Sequence, residues 1–321
     1  MLTRIHLKNF RAFRDTEIGP FNRVNLIAGL NNTGKTGLLE AMFLALRPPQ
    51  TLGGLPTIFR TFSQNADANE NFWPWLFKDK NRLVDALIKV TDDQSREKFV
   101  LLTPKDSQVK TEGLPFAGAG NIGSFYAWWG PSEISWLPKV AVFSSHPSDP
   151  TQDAIDYNRV IAKRGRKKVE ALLQHIDPRL QAIESLQTGK APLLYADIGL
   201  PEMIPVTNLG AGFCRLMDIY AELIAGEAKV LLIDEVENGL HHTVLPTVWK
   251  GLIAAANELD VQIFATTHSN ECILAADQAA RESAPYELNL IRLDRVKDDI
   301  KATVMDEKTI ATAKELGWEL R

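Results

Sequence analysis

The sequence predicts an α/β fold: a central, mostly parallel sheet, an antiparallel β subdomain and a short helical insertion. Three observations predict it. Apolar runs at 24–28, 230–233 and 261–267 each stop at polar residues, as strands buried on both faces do. The first run leads through a Gly- and Asn-rich turn into residues 37–46, whose apolar positions fall at helical spacing. Residues 83–90 and 97–103 alternate in polarity across Asp92-Asp93-Gln94-Ser95, as an antiparallel pair does.

The 321 residues, 45% hydrophobic, suffice for one large or two modest domains. A formal charge of −4 argues against nucleic-acid binding through net positive charge, though not against a local basic strip. Cys214 and Cys272 show neither metal-ligand spacing nor a disulfide framework, which suits a reducing cytoplasm. No apolar run approaches the roughly 20 residues a bilayer span needs. The start, Met1-Leu2-Thr3-Arg4-Ile5, lacks the apolar core of a signal peptide. The expectation is a soluble cytoplasmic protein without a membrane partner.

Residues 5–10 and 12–18 read as a hairpin leading into the first buried strand. Gly29 to Thr36 then fits G-x-x-x-x-G-K-T between a strand and a helix, the setting a phosphate-binding loop requires. Gly34 lets the backbone curl so that successive N–H groups face a phosphate, and the helix N-terminus adds partial positive charge. Lys35 reaches the β- and γ-phosphates and the Thr36 hydroxyl suits Mg²⁺, so ATP and Mg²⁺ are the expected cofactors. The candidate ATP-binding residues are Asn31, Asn32, Thr33, Gly34, Lys35, Thr36 and Gly37. Arg11, at the hairpin turn, is a further candidate for nucleotide contact. From 47 to about 80 the chain turns irregular, interrupted by Phe72-Trp73-Pro74-Trp75-Leu76-Phe77, which reads as a lid whose rings pack against the core, with a partner surface as the alternative.

Residues 113–130 are Gly-rich with Trp128-Trp129 and carry no assigned role, while 140–143 read as a short buried strand. Gln64 and Gln152 are candidates for a glutamine that senses Mg²⁺ or the γ-phosphate. Residues 156–186 read as mainly helical, with a break near Asp177-Pro178. Within them Lys163, Arg164, Arg166, Lys167 and Lys168 form the strongest basic run. That run is the place where a nucleic-acid backbone would be touched.

Val230-Leu231-Leu232-Ile233 ends in Asp234-Glu235 at the carboxyl end of a central strand, where such sheets place their ligands. Asp234 can hold the metal opposite Thr36, and Glu235 can orient or deprotonate a water. The turn 236–242 can sit over the γ-phosphate, and His268 at the end of the third strand can sense it. Upstream, Leu209-Gly210-Ala211-Gly212 opens an amphipathic helix and makes a second anion-type site. One phosphate chain does not need two such sites. The economical reading is that Leu209, Gly210 and Gly212 meet nucleotide held by another protomer, so that two chains enclose two ATP molecules.

These four motifs, in this order, resemble the ABC-type ATPase heads of SMC-like and RecF-like proteins. They are especially similar to small prokaryotic AAA-family ATPases related to overcoming-lysogenization-defect (OLD) proteins. Residues 233–241, 263–269 and the closing Glu315-Leu316-Gly317-Trp318-Glu319-Leu320-Arg321 look most like that group. The resemblance implies a P-loop NTPase fold and ATP-driven dimerisation released by hydrolysis, in DNA repair or in defence against phage and plasmids. By position it implies Lys35 and Thr36 on phosphate and Mg²⁺, Asp234 on the metal, Glu235 on water and His268 as γ-phosphate sensor. Ala211 departs from the polar or acidic residue common there. Residues 47–200 are too short for an SMC coiled coil. The segment after His268 is too short for a TOPRIM nuclease, so any nuclease would be a separate polypeptide.

The resulting division is a single head over 1–321. An N-terminal lobe spans 1–46, a β subdomain with helical insertion about 47–200, the signature, Walker B and His switch about 201–280, and terminal strands and helix 281–321. Two competing expectations are the ATPase subunit of a membrane transporter and a nucleotide-gated scaffold with negligible turnover. The transporter reading lacks the usual Ser-Gly-Gly-Gln, and the scaffold reading sits poorly with Glu235 and His268.

Overall fold

The computed structural model describes residues 1–47, 55–59, 72–81, 83–104, 118–122, 125–130, 138–146, 148–189 and 191–321. β1 (Leu2–Phe10) and β2 (Phe13–Ile18) pair as the expected hairpin, and β3 (Val24–Ala28) leads through the glycine turn into α1 (Lys35–Leu46). After α2 (Leu55–Phe59) come β4 (Ala86–Asp92), β5 (Glu97–Pro104), β6 (Gly118–Ile122), β7 (Phe125–Gly130) and β8 (Val140–Phe143). α3 (Pro150–Ala162) and α4 (Arg166–Gln174) precede a small sheet of β9 (Ala182–Thr188), β10 (Ala191–Asp197) and β11 (Ile204–Pro205). The rest alternates: α5 (Ala211–Ala225), β12 (Val230–Ile233), α6 (Leu245–Leu259), β13 (Gln262–Thr266) and α7 (Asn270–Arg281). β14 (Leu288–Val296), β15 (Asp299–Met305) and α8 (Glu307–Glu315) close the chain.

The central sheet has the order β15-β14-β3-β13-β12-β8, parallel throughout except for β15 at one edge. The carboxyl ends of β3, β13, β12 and β8 therefore open on one edge, which is what brings distant motifs together. Successive side chains of these strands go to opposite faces. Leu26, Leu231, Ile233, Ile263 and Ala265 pack with the helical layer, whereas Ile27, Leu232 and Phe264 pack with α1 and the antiparallel sheet β2-β1-β4-β5-β7-β6. α1 lies in that second core and is buried from Gly37 to Leu46, as its nearly continuous apolar sequence requires.

The antiparallel pair is present with its first strand shifted: β4 runs over Ala86–Asp92 rather than 83–90, and Leu83 and Val84 are exposed. The Gly-rich stretch supplies β6 and β7, with Trp129 buried and its indole N–H donating to the Leu44 carbonyl. β8 is an edge strand on which only Val140 is buried. The long helix expected over 156–186 is corrected. Helix begins at Pro150, capped by Asp149, and ends at Gln174. After a turn at Asp177, Ile183 and Leu186 belong to β9, paired with Leu193 and Ala196 of β10. Leu180, Ile183 and Leu186 mimic helical spacing, but Pro178 interrupts the helix and the following residues find a hairpin partner. In the aromatic cluster Phe72, Trp73, Leu76 and Phe77 are buried in the second core, while Trp75 is exposed.

Candidate functional site

The glycine turn wraps over the end of β3. Thr33 is buried with its hydroxyl donating to the Leu30 carbonyl at 2.9 Å, and Asn31 and Asn32 are exposed. Arg295 of β14 donates to the Asn32 carbonyl at 2.9 Å and steadies the loop from outside. Lys35 is buried, its ammonium donating to the carbonyls of Gly29 at 2.7 Å and Leu30 at 2.9 Å. Gly37 lies in the first turn of α1 beneath Arg11.

β12 delivers Asp234 opposite this turn. The Thr36 hydroxyl lies 3.3 and 3.4 Å from the two Asp234 carboxylate oxygens, and the Thr266 hydroxyl donates to Oδ1 at 2.7 Å. The same Thr266 oxygen accepts the Glu235 N–H at 2.7 Å. Glu235 itself has φ of 52°, a left-handed backbone that a residue of this size adopts only where its surroundings enforce it. Its Oε1 sits 3.2 Å from His268 Nε2, both side chains being about 38% exposed. Glu237 accepts the His268 backbone N–H at 2.8 Å and so fixes the end of β13.

The electrostatics of this edge are unbalanced toward negative charge. Burial pushes the Asp234 carboxyl up and the nearby Glu235 charge adds to that, against hydrogen bonds from Thr266 and Thr36. Burial lowers the Lys35 ammonium, opposed by the carboxylates of Asp234, Glu235 and Glu237. A hydroxyl and a carboxylate facing each other are hard oxygen donors, the set that Mg²⁺ uses when phosphate oxygens complete its shell. The residues present thus fit a magnesium-bound polyphosphate.

The second glycine loop lies on the helical side. Gly210 is exposed with φ of 99° and ψ of 158°, a glycine-only region, and opens α5 without a side-chain cap. Leu209 is half-buried. Gly212 packs backbone against backbone on the turn after Glu235, so closely that a Cβ added to Gly239 would come within 2.7 Å of the Gly212 nitrogen. The turn 236–242 therefore rests on the head of α5.

Several sequence candidates fall elsewhere. Arg11 grips the fully buried Glu40 with two hydrogen bonds of 2.6 and 2.9 Å and stacks on Phe72, which makes it a clamp between α1 and the aromatic segment. Gln152 is exposed on α3 and bonded to Asp156, and Gln64 lies outside the described residues. The loop occupying the position beside Asp234 is Ser144–His146, since β8 pairs with β12 and Asp234 N donates to Phe143 O at 2.8 Å. Of the basic run, Arg166 is held by Glu170 and Glu184 and Lys168 by Glu258, while Lys163, Arg164 and Lys167 are exposed at the α3–α4 junction. Thr266, Glu237 and Arg215 were not singled out from sequence. The only trace of Thr266 there is a hydroxyl at the end of a strand that is apolar from Ile263 to Ala265.

A family model described as "AAA ATPase domain" matches residues 1–185, and one described as "AAA domain, putative AbiEii toxin, Type IV TA system" matches 121–274. A Helicobacter pylori protein named ATP/GTP phosphatase is 25% identical over 335 residues, covering 88% of this chain and 89% of its own. An SMC head solved with the C-terminal winged-helix domain of ScpA superposes with a TM-score of 0.60 at 13% identity, over 97% of this chain and 99% of that one. The Pyrococcus furiosus SMC head with an extended coiled coil, also bound to a ScpA domain, gives 0.60 at 11% identity over 98% and 99%.

Proposed function

We propose, for a chain that belongs to the AAA ATPase domain family and has the fold of SMC-like ABC-type heads, that it hydrolyses ATP to ADP and phosphate as an ATP-bridged homodimer. The observation that carries this reading is the convergence of Lys35, Thr36, Asp234, Glu235 and His268 on one sheet edge, from three separate parts of the chain. In this reading the loop 31–37 cradles the phosphates, with Lys35 moving from its own loop carbonyls to the β- and γ-oxygens. Thr36 and Asp234 would hold Mg²⁺, which when bound offsets charge on the phosphates. Glu235, half-exposed and held at 3.2 Å from His268, takes a proton from the attacking water, and His268 faces the terminal phosphate.

Leu209, Gly210 and Gly212 complete the partner protomer's site. An exposed glycine loop at a helix start, on the same molecule as a separate phosphate loop, supports that assignment. The domain division given above, a role in DNA repair or defence, a separate nuclease or other effector protein, and a cytoplasmic location belong to the same proposal. Among the described residues no helix is long and apolar enough to cross a membrane.

The test is ATP turnover of wild type and Glu235→Gln. The variant is expected to bind ATP, lose about 10²–10⁴ in kcat, and accumulate as dimer by mass measurement with ATP. Equal turnover of the two proteins would remove Glu235 from its role.

A further inference from the structure

Arg215 sits in the second turn of α5, directly behind the Gly210 loop. Its guanidinium reaches across to the ends of two neighbouring parallel strands. It donates to the Ser144 carbonyl at 2.5 Å, to the Phe143 carbonyl at 3.5 Å and to the Asp234 carbonyl. Among the described residues no carboxylate forms an ion pair with it, and its Nε is buried without a partner. Burial lowers its ordinary pKa, opposed by the field of Asp234, Glu235 and Glu237. A half-buried cation with a fully buried Nε, held only by neutral carbonyls, is an expensive way to fill space.

The Asp234 carbonyl belongs to the peptide whose N–H, on Glu235, is held by Thr266 at 2.7 Å. Arg215 and Thr266 thus grip the two poles of one peptide plane, and the next residue is Glu235 with its left-handed φ. A cavity of about 530 Å³, bounded by Ser144, His146, Asp153, Asp218 and Asn238, flanks the guanidinium, so α5 is not packed tightly against the loop after β8. The same helix touches the 236–242 turn through Gly212.

We propose that Arg215 is a positioning residue that aims Glu235 by holding the Asp234–Glu235 peptide, and so transmits engagement of the Gly210 loop to hydrolysis. This rests on the ATP-bridged dimer proposed above. A shift of α5 on meeting the partner's nucleotide moves the guanidinium, and with it the orientation of the catalytic carboxylate.

The experiment is steady-state ATPase kinetics across a range of protein concentrations for wild type, Arg215→Gln and Arg215→Lys, with equilibrium ATP binding measured in parallel. Arg215→Gln is expected to keep ATP affinity and KM within about twofold. Its kcat should fall about a hundredfold, as a misaimed base costs, and its specific activity should stop rising with protein concentration. Arg215→Lys, which keeps a charged donor, should recover part of kcat. If the glutamine variant is insoluble, the lysine variant must show the same split in weaker form. Wild-type kcat in Arg215→Gln, or a parallel loss of ATP binding in both variants, overturns the inference. A wild-type protein whose specific activity does not depend on its concentration overturns the dimer reading itself, and the inference with it.

Discussion

Two glycine turns start two helices in this molecule, and they are built differently. The turn before α1 is closed on itself: Thr33 and Lys35 are buried, Lys35 and Thr33 bond to loop carbonyls, and Arg295 braces the outside. The turn before α5 is open, with Gly210 and Ala211 exposed and, among the described residues, no side-chain cap at the helix start. The contrast extends below the surface. The buried Glu40 of α1 is matched by Arg11, whereas α5 carries Arg215 on carbonyls only and a half-buried Asp218 near the charge of the buried Asp153. In the proposed reading the first turn is the phosphate cradle of its own protomer. The second starts its helix on an exposed, uncapped glycine, which in the same reading faces the partner's nucleotide.

The largest effect that would break this comparison is at Lys35. Lys35→Ala removes the charged donor of the closed turn and should lower ATP affinity by about 10–150-fold, the worth of one hydrogen bond to a charged group, in equilibrium binding. Retained affinity would mean that the closed turn is not the cradle. Next comes the open turn. Gly210→Ala forces a side chain onto φ of 99° and ψ of 158°, a strain of about 1–3 kcal/mol. It should leave ATP binding by the monomer intact while lowering turnover and ATP-dependent dimer by about tenfold or more. Loss of monomer binding in this variant would place the open turn at its own nucleotide instead.

A smaller effect sharpens the contrast between the two helices. Burial and the charge of Asp153 push the Asp218 carboxyl up to about 8. Because its folded pKa lies above the ordinary 3.8, unfolding releases a proton between these values. Wild-type stability therefore falls as pH rises through that window, with the penalty complete above about 8. Asp218→Asn lacks the penalty, so its melting temperature should gain on wild type between pH 5 and 9 by several degrees, at roughly 2–4 °C per kcal/mol. A pH-independent difference would show that Asp218 ionises normally. The smallest effect concerns the exposed cations at the α3–α4 junction. Neutralising Lys163, Arg164 and Lys167 should reduce the slope of log affinity for duplex DNA against log salt by about 3. Unchanged affinity and slope would remove that surface as a DNA contact.

What could be read from the sequence was whatever is local. β3, its turn and α1 form one contiguous signal, and the Asp234-Glu235 and His268 strand ends each announce themselves within a few residues. The parallel order that joins them follows from buried runs ending in polar groups. Contacts between distant segments were not legible. Arg215 meets a carbonyl 71 residues away at Ser144, and the loop beside Asp234 could be found only once β8 was seen to pair with β12. Residues 180–186 carried a helical period by coincidence, and the hairpin partner that decides the matter, β10, begins beyond them. Arg11 looked available because its partner Glu40 sits on the far side of the phosphate loop in sequence.

The Thr266 hydroxyl has one proton and two neighbours with opposite needs. It gives that proton to Asp234 and receives another from the Glu235 amide. Rotating it to serve either neighbour differently would strand the other in a place where water does not easily reach. The direction of hydrogen bonding through this point is thus set once the chain is folded. Oδ1 of Asp234 is shared between Thr266 and Thr36, and Oδ2 faces Thr36 without Thr266, where a bound ion would be felt.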